Sequence, residues 1–194
     1  KKYENFSKSI RRRAATIGGH NMDDYPLKMH VFNRARLIKN SKNRIPYGVD
    51  LIQKYKRESW IVFTENKKQA KEFNKIINTK GFKSALYNTD LDSTERLENL
   101  NKFKKADLNV LVTCTALDEG FDMPEADGAL ILSASSSKRQ RVQRMGRVLR
   151  ITENKPNALI VTVYSSKTEF DKLMEEAKRY HKEGVPVSWK RQDR

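Results

Sequence analysis

Short strand-like runs alternate with helix-length polar stretches from residue 59 onward, and this alternation constrains the fold more than any other feature. Trp60-Ile61-Val62-Phe63, Asn109-Val110-Leu111-Val112-Thr113, Ala129-Leu130-Ile131-Leu132 and Ala158-Leu159-Ile160-Val161-Thr162-Val163 are nearly unbroken apolar segments, and residues 83–87 form a fifth, weaker one. Continuous apolar runs of this length fit strands buried on both faces of a parallel sheet. Between them the pattern predicts helices over 66–79, 92–104, 138–148 and 168–181. Asp92 with Glu95, and Thr168 with Asp171, have capping-box spacing. Strand–helix alternation implies right-handed crossovers, hence an α/β fold with a mostly parallel sheet and helices on both faces. The working loops of such sheets lie beyond the carboxyl ends of the strands.

Residues 1–58 differ in character. Helices are predicted over 4–17, ending at Gly18-Gly19, over 27–39, and over 45–56 with Pro46 near the start. With no strand pattern, this part reads as a basic helical appendage, and the chain divides into residues 1–58 and 59–194. The appendage holds 15 Lys and Arg against 5 Asp and Glu, within a chain of net charge +16. Such an excess points to a polyanionic partner, chiefly nucleic acid; a solvated basic face is the plainer alternative. One cysteine, Cys114, excludes an internal disulfide framework, and the three His residues have no metal-ligand spacing. No apolar run long enough to span a membrane and no secretory signal is present, so an intracellular location is expected. The opening Lys1-Lys2-Tyr3 lacks an initiator Met, as a fragment or processed product would.

Residues 133–152 concentrate the chemistry. They hold Lys138, Arg139, Arg141, Arg144, Arg147 and Arg150 and no acid. On a helix Arg147 and Arg150 share a face, Gln143 lies one turn before Arg147, and Gly146 permits close approach of another backbone. Two guanidinium forks on one face suit a polyphosphate, because arginine binds phosphate oxygens bidentately and keeps its charge. By composition alone, a solvated basic helix is the favoured reading.

The segment resembles motif VI of superfamily 2 helicases, Gln-x-x-Gly-Arg-x-x-Arg, with Gln143, Gly146, Arg147 and Arg150 at the four positions. The resemblance implies a RecA-like fold, and arginine fingers that reach across an interdomain cleft to ATP. Residues 110–124 resemble motif V. By that likeness Gly120 and Asp122 face the nucleotide, while Thr113 and Thr115 meet nucleic-acid phosphate. Cys114 stands where many relatives have Ser or Thr, which leaves its backbone amide for that contact, or a plain role as a small buried residue. Trp60–Phe63 with Thr64, Glu65 and Asn66 resembles motif IV, whose polar loop tracks the nucleic-acid backbone. Arg96 matches a recurrent arginine that contacts phosphate or motif V. Asn88-Thr89 replaces the usual His-Gly before it, and Ser93 replaces a glutamine, so Arg96 also fits a surface residue with a local carboxylate. The wording of 116–124 and 139–150 is most similar to the XPB-like and phage repair-helicase branch, which implies DNA over RNA.

Asp118-Glu119 is not a Walker B pair, because it lies five residues past Thr113, beyond the strand. No Gly-x-x-x-x-Gly-Lys-Ser/Thr loop occurs; no Gly is followed by Lys. The resemblance therefore implies half an ATP site. ATP and Mg2+ would be held mainly by an N-terminal RecA-like domain of the same protein, and the 194-residue chain alone is expected not to hydrolyse ATP. Two alternatives remain at this level: an ATP-independent basic nucleic-acid-binding module, and an inactive motor-like scaffold for protein partners.

Overall fold

The computed structural model describes residues 2–19, 23–114, 125–133 and 158–190. In chain order these form α1 (Lys2–Thr16), α2 (Tyr25–Lys39), α3 (Arg44–Tyr55), β1 (Trp60–Phe63), α4 (Lys67–Thr79), β2 (Ser84–Leu86), α5 (Ser93–Lys104), β3 (Val110–Thr113), β4 (Gly128–Ile131), β5 (Leu159–Thr162) and α6 (Lys167–Lys182). The helix expected over 138–148 lies outside the described residues.

The five strands form one sheet in the order β2-β3-β1-β4-β5, and every pairing is parallel. Strand alternation sorts the apolar runs into two cores. Trp60, Val62, Val110, Val112, Leu130 and Leu132 face α3 and α4, where they meet Ile45, Val49, Ile52, Phe73 and Ile77. Ile61, Phe63, Leu111, Ala129 and Ile131 face the other way, onto Leu100 and Phe103 of α5. The expected α/β architecture, with helices on both faces, is what these strands build. Gly128 makes the centre possible: a Cβ there would come within 2.6 Å of the Trp60 ring, which is wholly buried.

Three local features differ from the sequence pattern. α3 lies on the appendage side of residue 58, yet its apolar face fills the first core. α6 begins at Lys167 and is capped by Ser166, whose hydroxyl accepts from the Glu169 amide at 3.2 Å, rather than by Thr168. The Ser166/Glu169 pair has the same three-residue spacing as Thr168/Asp171 and lies closer to the end of β5. β5 is an edge strand, so Ile160 stays half-exposed where a central strand would bury it.

α1 and α2 form an antiparallel hairpin. Gly18 and Gly19 both take positive φ and end α1, with the Gly19 amide donating to the Ala14 carbonyl at 2.8 Å. Asp24 caps α2 and accepts from the Leu27 amide at 2.9 Å, and Pro26 stands in the first turn. The same carboxylate takes a bidentate contact from Arg13, closest at 2.6 Å, which fastens the two helices. The guanidinium hydrogen bond, then the Leu27 amide, hold the Asp24 carboxyl below its usual range.

Candidate functional site

Parallel pairing puts every carboxyl strand end on one edge. Along it lie Tyr87 and Asn88 after β2, Cys114 after β3, Thr64 to Asn66 after β1, Leu132 and Ser133 after β4, and Tyr164 to Ser166 after β5. The three neighbouring strands β3, β1 and β4 thus carry the roots of residues 114–124, 64–66 and 133–157. They are stitched together there: the Thr64 amide donates to the Thr113 carbonyl at 2.9 Å, and the Leu132 amide to the Phe63 carbonyl at 2.9 Å.

Thr64 and Thr113 are each 1% exposed. The Thr64 hydroxyl lies 3.2 Å from the carbonyls of Thr113 and Asn66, so its donor is spent on backbone. Asn66 caps α4, accepting from the Gln69 amide at 3.0 Å, and its amide group donates to Asn40 at 2.7 Å. Cys114 is a partly buried free thiol packed against the first core. Arg96 lies in α5 beside Tyr87. Burial raises the Tyr87 phenol above its ordinary range and the Arg96 cation partly opposes that. The Arg96 Nε and the Asn88 Nδ2 are buried donors with no hydrogen-bond partner. The cost of leaving a buried donor bare is about 1–3 kcal/mol. Thr115, Gly120, Asp122, Gln143, Gly146, Arg147 and Arg150 lie outside the described residues.

The sequence pattern missed the group that holds the β4–β5 end of the edge. Arg44, the first residue of α3, is 1% exposed. Its Nε donates to the Ile38 carbonyl at 3.1 Å, and its Nη1 to the carbonyls of Leu132 at 2.5 Å and Val163 at 2.8 Å. Its Nη2 donates to Ser165 at 2.8 Å and to both oxygens of Glu169 at 2.6 and 2.5 Å. One guanidinium therefore ties α2, the ends of β4 and β5, and the start of α6. Glu65 adds a second tie, accepting from Lys39 at 3.0 Å and from the Ser133 hydroxyl. No local pattern marks Arg44 or Glu65; their partners are up to 125 residues away. Asp90, beyond β2, accepts from Lys67 and Lys71, which hold its carboxyl below the usual range. Glu65 and Asp90 therefore spend their charge within the protein, and neither opposes an anion at the edge.

Comparison with known proteins matches residues 43–152 to the helicase conserved C-terminal domain. The chain belongs to that family. The matched segment begins one residue before α3 and includes all the residues assigned to nucleotide by resemblance. Among relatives, the DNA 3'-5' translocase XPB2 of Sulfurisphaera tokodaii is 36% identical over 129 residues, covering 66% of this chain and 28% of that protein. The ATP-dependent RNA helicase DBP3 of Ajellomyces capsulatus is 28% identical over 166 residues, covering 82% of this chain and 32% of that protein. The chain thus spans about a third or less of the relatives it matches. The C-terminal domain of the DEAD-box protein Dbp5 superposes with a TM-score of 0.63 at 21% identity, covering 75% of this chain and 82% of that domain. The fold is the RecA-like fold of helicase C-terminal domains.

Among the described residues of this helicase domain no three His, Cys, Asp or Glu side chains could together hold a metal ion. No described helix is long and apolar enough to cross a membrane.

Proposed function

We propose that the chain is the second motor domain of an intracellular, ATP-dependent superfamily 2 translocase acting on DNA. The observation that carries this is the shared origin of three loops. The polar loop after β1, the motif V loop after β3 and the arginine segment after β4 leave adjacent parallel strands at one edge, within a segment matching the helicase C-terminal family. The motor unit begins at α3 in this reading, with α1 and α2 as the basic appendage.

Arg147 and Arg150 hold phosphate oxygens of a nucleotide seated mainly on an N-terminal RecA-like domain, which also supplies the Mg2+ ligands. They stabilise negative charge on the transferred phosphoryl group. Gln143, Gly146, Gly120 and Asp122 line the same cleft. Bound ATP supplies the phosphoryl chemistry; this chain orients it and senses closure. Asn66, Cys114, Thr115 and Arg96 follow one nucleic-acid strand, while Thr64 and Thr113, whose side chains are buried, serve that strand only by holding the loops in place. Closure that depends on the nucleotide state then changes the spacing of two grips on that strand. DNA is favoured over RNA by the XPB2 likeness, 36% identical against 28% for the RNA helicase DBP3.

The test is Arg147→Ala in the intact protein. Steady-state ATP hydrolysis should fall by about 10³-fold or more, the range for arginine fingers in other NTPases, while equilibrium ATP binding changes little. Normal turnover with lost binding would contradict the role. So would rapid Arg147-dependent turnover by the 194-residue chain alone, since the site would then be whole.

A further inference from the structure

α2 carries a face that none of the described residues covers. α1 packs on one side of α2, burying Leu27 wholly and setting Phe6 against His30 with ring centroids 6.1 Å apart. The opposite side presents Tyr25, Met29, Phe32 and Arg36, spaced four, three and four residues apart and so aligned on one stripe. Tyr25 is 70% exposed and Phe32 53%. Two aromatic rings left so open on one stripe of a hairpin helix lack a folding explanation, because their burial against α1 is already forgone.

The charge around them selects the occupant. From Tyr25 to Val49 the chain has six Lys and Arg and no Asp or Glu. Lys28 beside the stripe and Arg36 at its end make no ion pair among the described residues. The stripe is also continuous with the working edge. At the end of α2, the Lys39 ammonium meets Glu65, the Lys39 carbonyl accepts from Gln69 at 3.0 Å, and Asn40 accepts from Asn66 at 2.7 Å. The helix thus ends at the polar loop after β1, with Tyr25 at its far end.

We propose that the Tyr25–Met29–Phe32–Arg36 face of α2 binds single-stranded nucleic acid as it leaves the motor edge. Tyr25 and Phe32 are stacking platforms for two bases. They lie about 10 Å apart along the helix axis, with Lys28 between them and Arg36 one turn beyond Phe32 to meet phosphates. Aromatic rings interleaved with cations bind single strands without sequence preference, because every base has a π-face and every linkage a charge. The direction of the track rests on the edge reading given above; the binding face itself does not require ATP.

The experiment measures binding of the 194-residue chain to a fluorescent 20-nucleotide single strand by anisotropy over a range of salt. Tyr25→Ala with Phe32→Ala should weaken binding by about 25-fold, roughly five-fold per ring, with the salt slope unchanged. Tyr25→Phe with Phe32→Tyr should bind as the parent does. Arg36→Ala should lower the slope of log affinity against log salt by about 0.7. Both rings are exposed, so unchanged circular dichroism is expected for every variant. Parent-like binding by the double alanine variant overturns the proposal, as does an equal loss in the Tyr25→Phe, Phe32→Tyr variant, or a parent dimer that the alanines dissociate, which would make the stripe a contact between copies. Arg96→Ala separates the two readings: a loss there without one in the ring variant keeps the edge reading and overturns this one.

Discussion

Replacing Arg44 with Met should be among the most damaging single substitutions outside the apolar core. The side chain is 1% exposed and its partner Glu169 is 11% exposed. Met fills much of the volume but supplies no donor. The Glu169 carboxylate would keep only the Ser165 amide, at 2.9 Å, and the serine hydroxyl, while the carbonyls of Leu132 and Val163 would each lose a charged donor. Removing one member of a buried ion pair costs about 3–5 kcal/mol, mostly the penalty of the charge left behind. For a domain whose total stability is ~5–15 kcal/mol, that is a large share. Urea unfolding read by circular dichroism gives the free energy by linear extrapolation, with an unchanged slope if the native state stays compact. Adding Glu169→Met to Arg44→Met should recover roughly 1–3 kcal/mol, because no charge then remains buried. A loss below about 1 kcal/mol for the single variant, or strictly additive effects in the pair, would refute the claim that this ion pair holds the strand ends.

Two further substitutions probe the scaffold. Gly128→Ala would push a methyl to within 2.6 Å of the buried Trp60 ring; overpacking of this kind costs about 1–3 kcal/mol, and a thermal melt unchanged from the parent would show that the ring can yield. Asp24 governs an acid limb. Its carboxyl is held below the usual range by Arg13 and the Leu27 amide, so its contribution is complete above the unfolded-chain value near about 4 and is lost as pH falls through the lower folded value. Helicity followed by circular dichroism should be level from neutral pH down to about 5 and decline below about 4, and Asp24→Asn should flatten that decline. An identical acid limb in the variant would remove Asp24 from the account.

The sheet was legible because burial on both faces leaves strands with no polar residues to confuse the pattern. Trp60–Phe63 and Val110–Thr113 could be placed to within a residue. The cap of α6 was not, because Ser166 and Thr168 each have an acid three residues on, and local spacing cannot choose between them. The place of α3 was missed for a related reason. Its Arg44 and Lys54, with Lys56 just beyond its end, made it look like part of a basic appendage, while Ile45, Val49 and Ile52 had no visible partner until β1 and α4 supplied one. Thr64 and Thr113 were legible as strand ends, but not their burial, because a threonine after an apolar run reads the same whether its hydroxyl faces solvent or backbone. The edge was illegible where the holding group comes from elsewhere in the chain, as with Arg44 and Glu65.

That division bears on how the +16 charge should be read. A cation counts toward nucleic acid only if its charge is not already spent. Arg44 is buried against Glu169, Lys39 is engaged by Glu65, Arg13 by Asp24, and Lys67 and Lys71 by Asp90. These five cations meet four carboxylates, so most of their charge is already balanced within the protein and releases few counterions when a strand binds. Lys28 and Arg36 make no such pairs among the described residues and lie on an exposed stripe. Salt dependence reports only the phosphates neutralised, at about 0.7 per contact for a single strand. Alanine at the exposed Lys71 should therefore leave the salt slope nearly unchanged, while alanine at Arg36 lowers it, although the two residues contribute equally to the net charge. If Lys71→Ala lowered the slope as much, net charge rather than placement would govern binding, and the α2 face would lose its special standing.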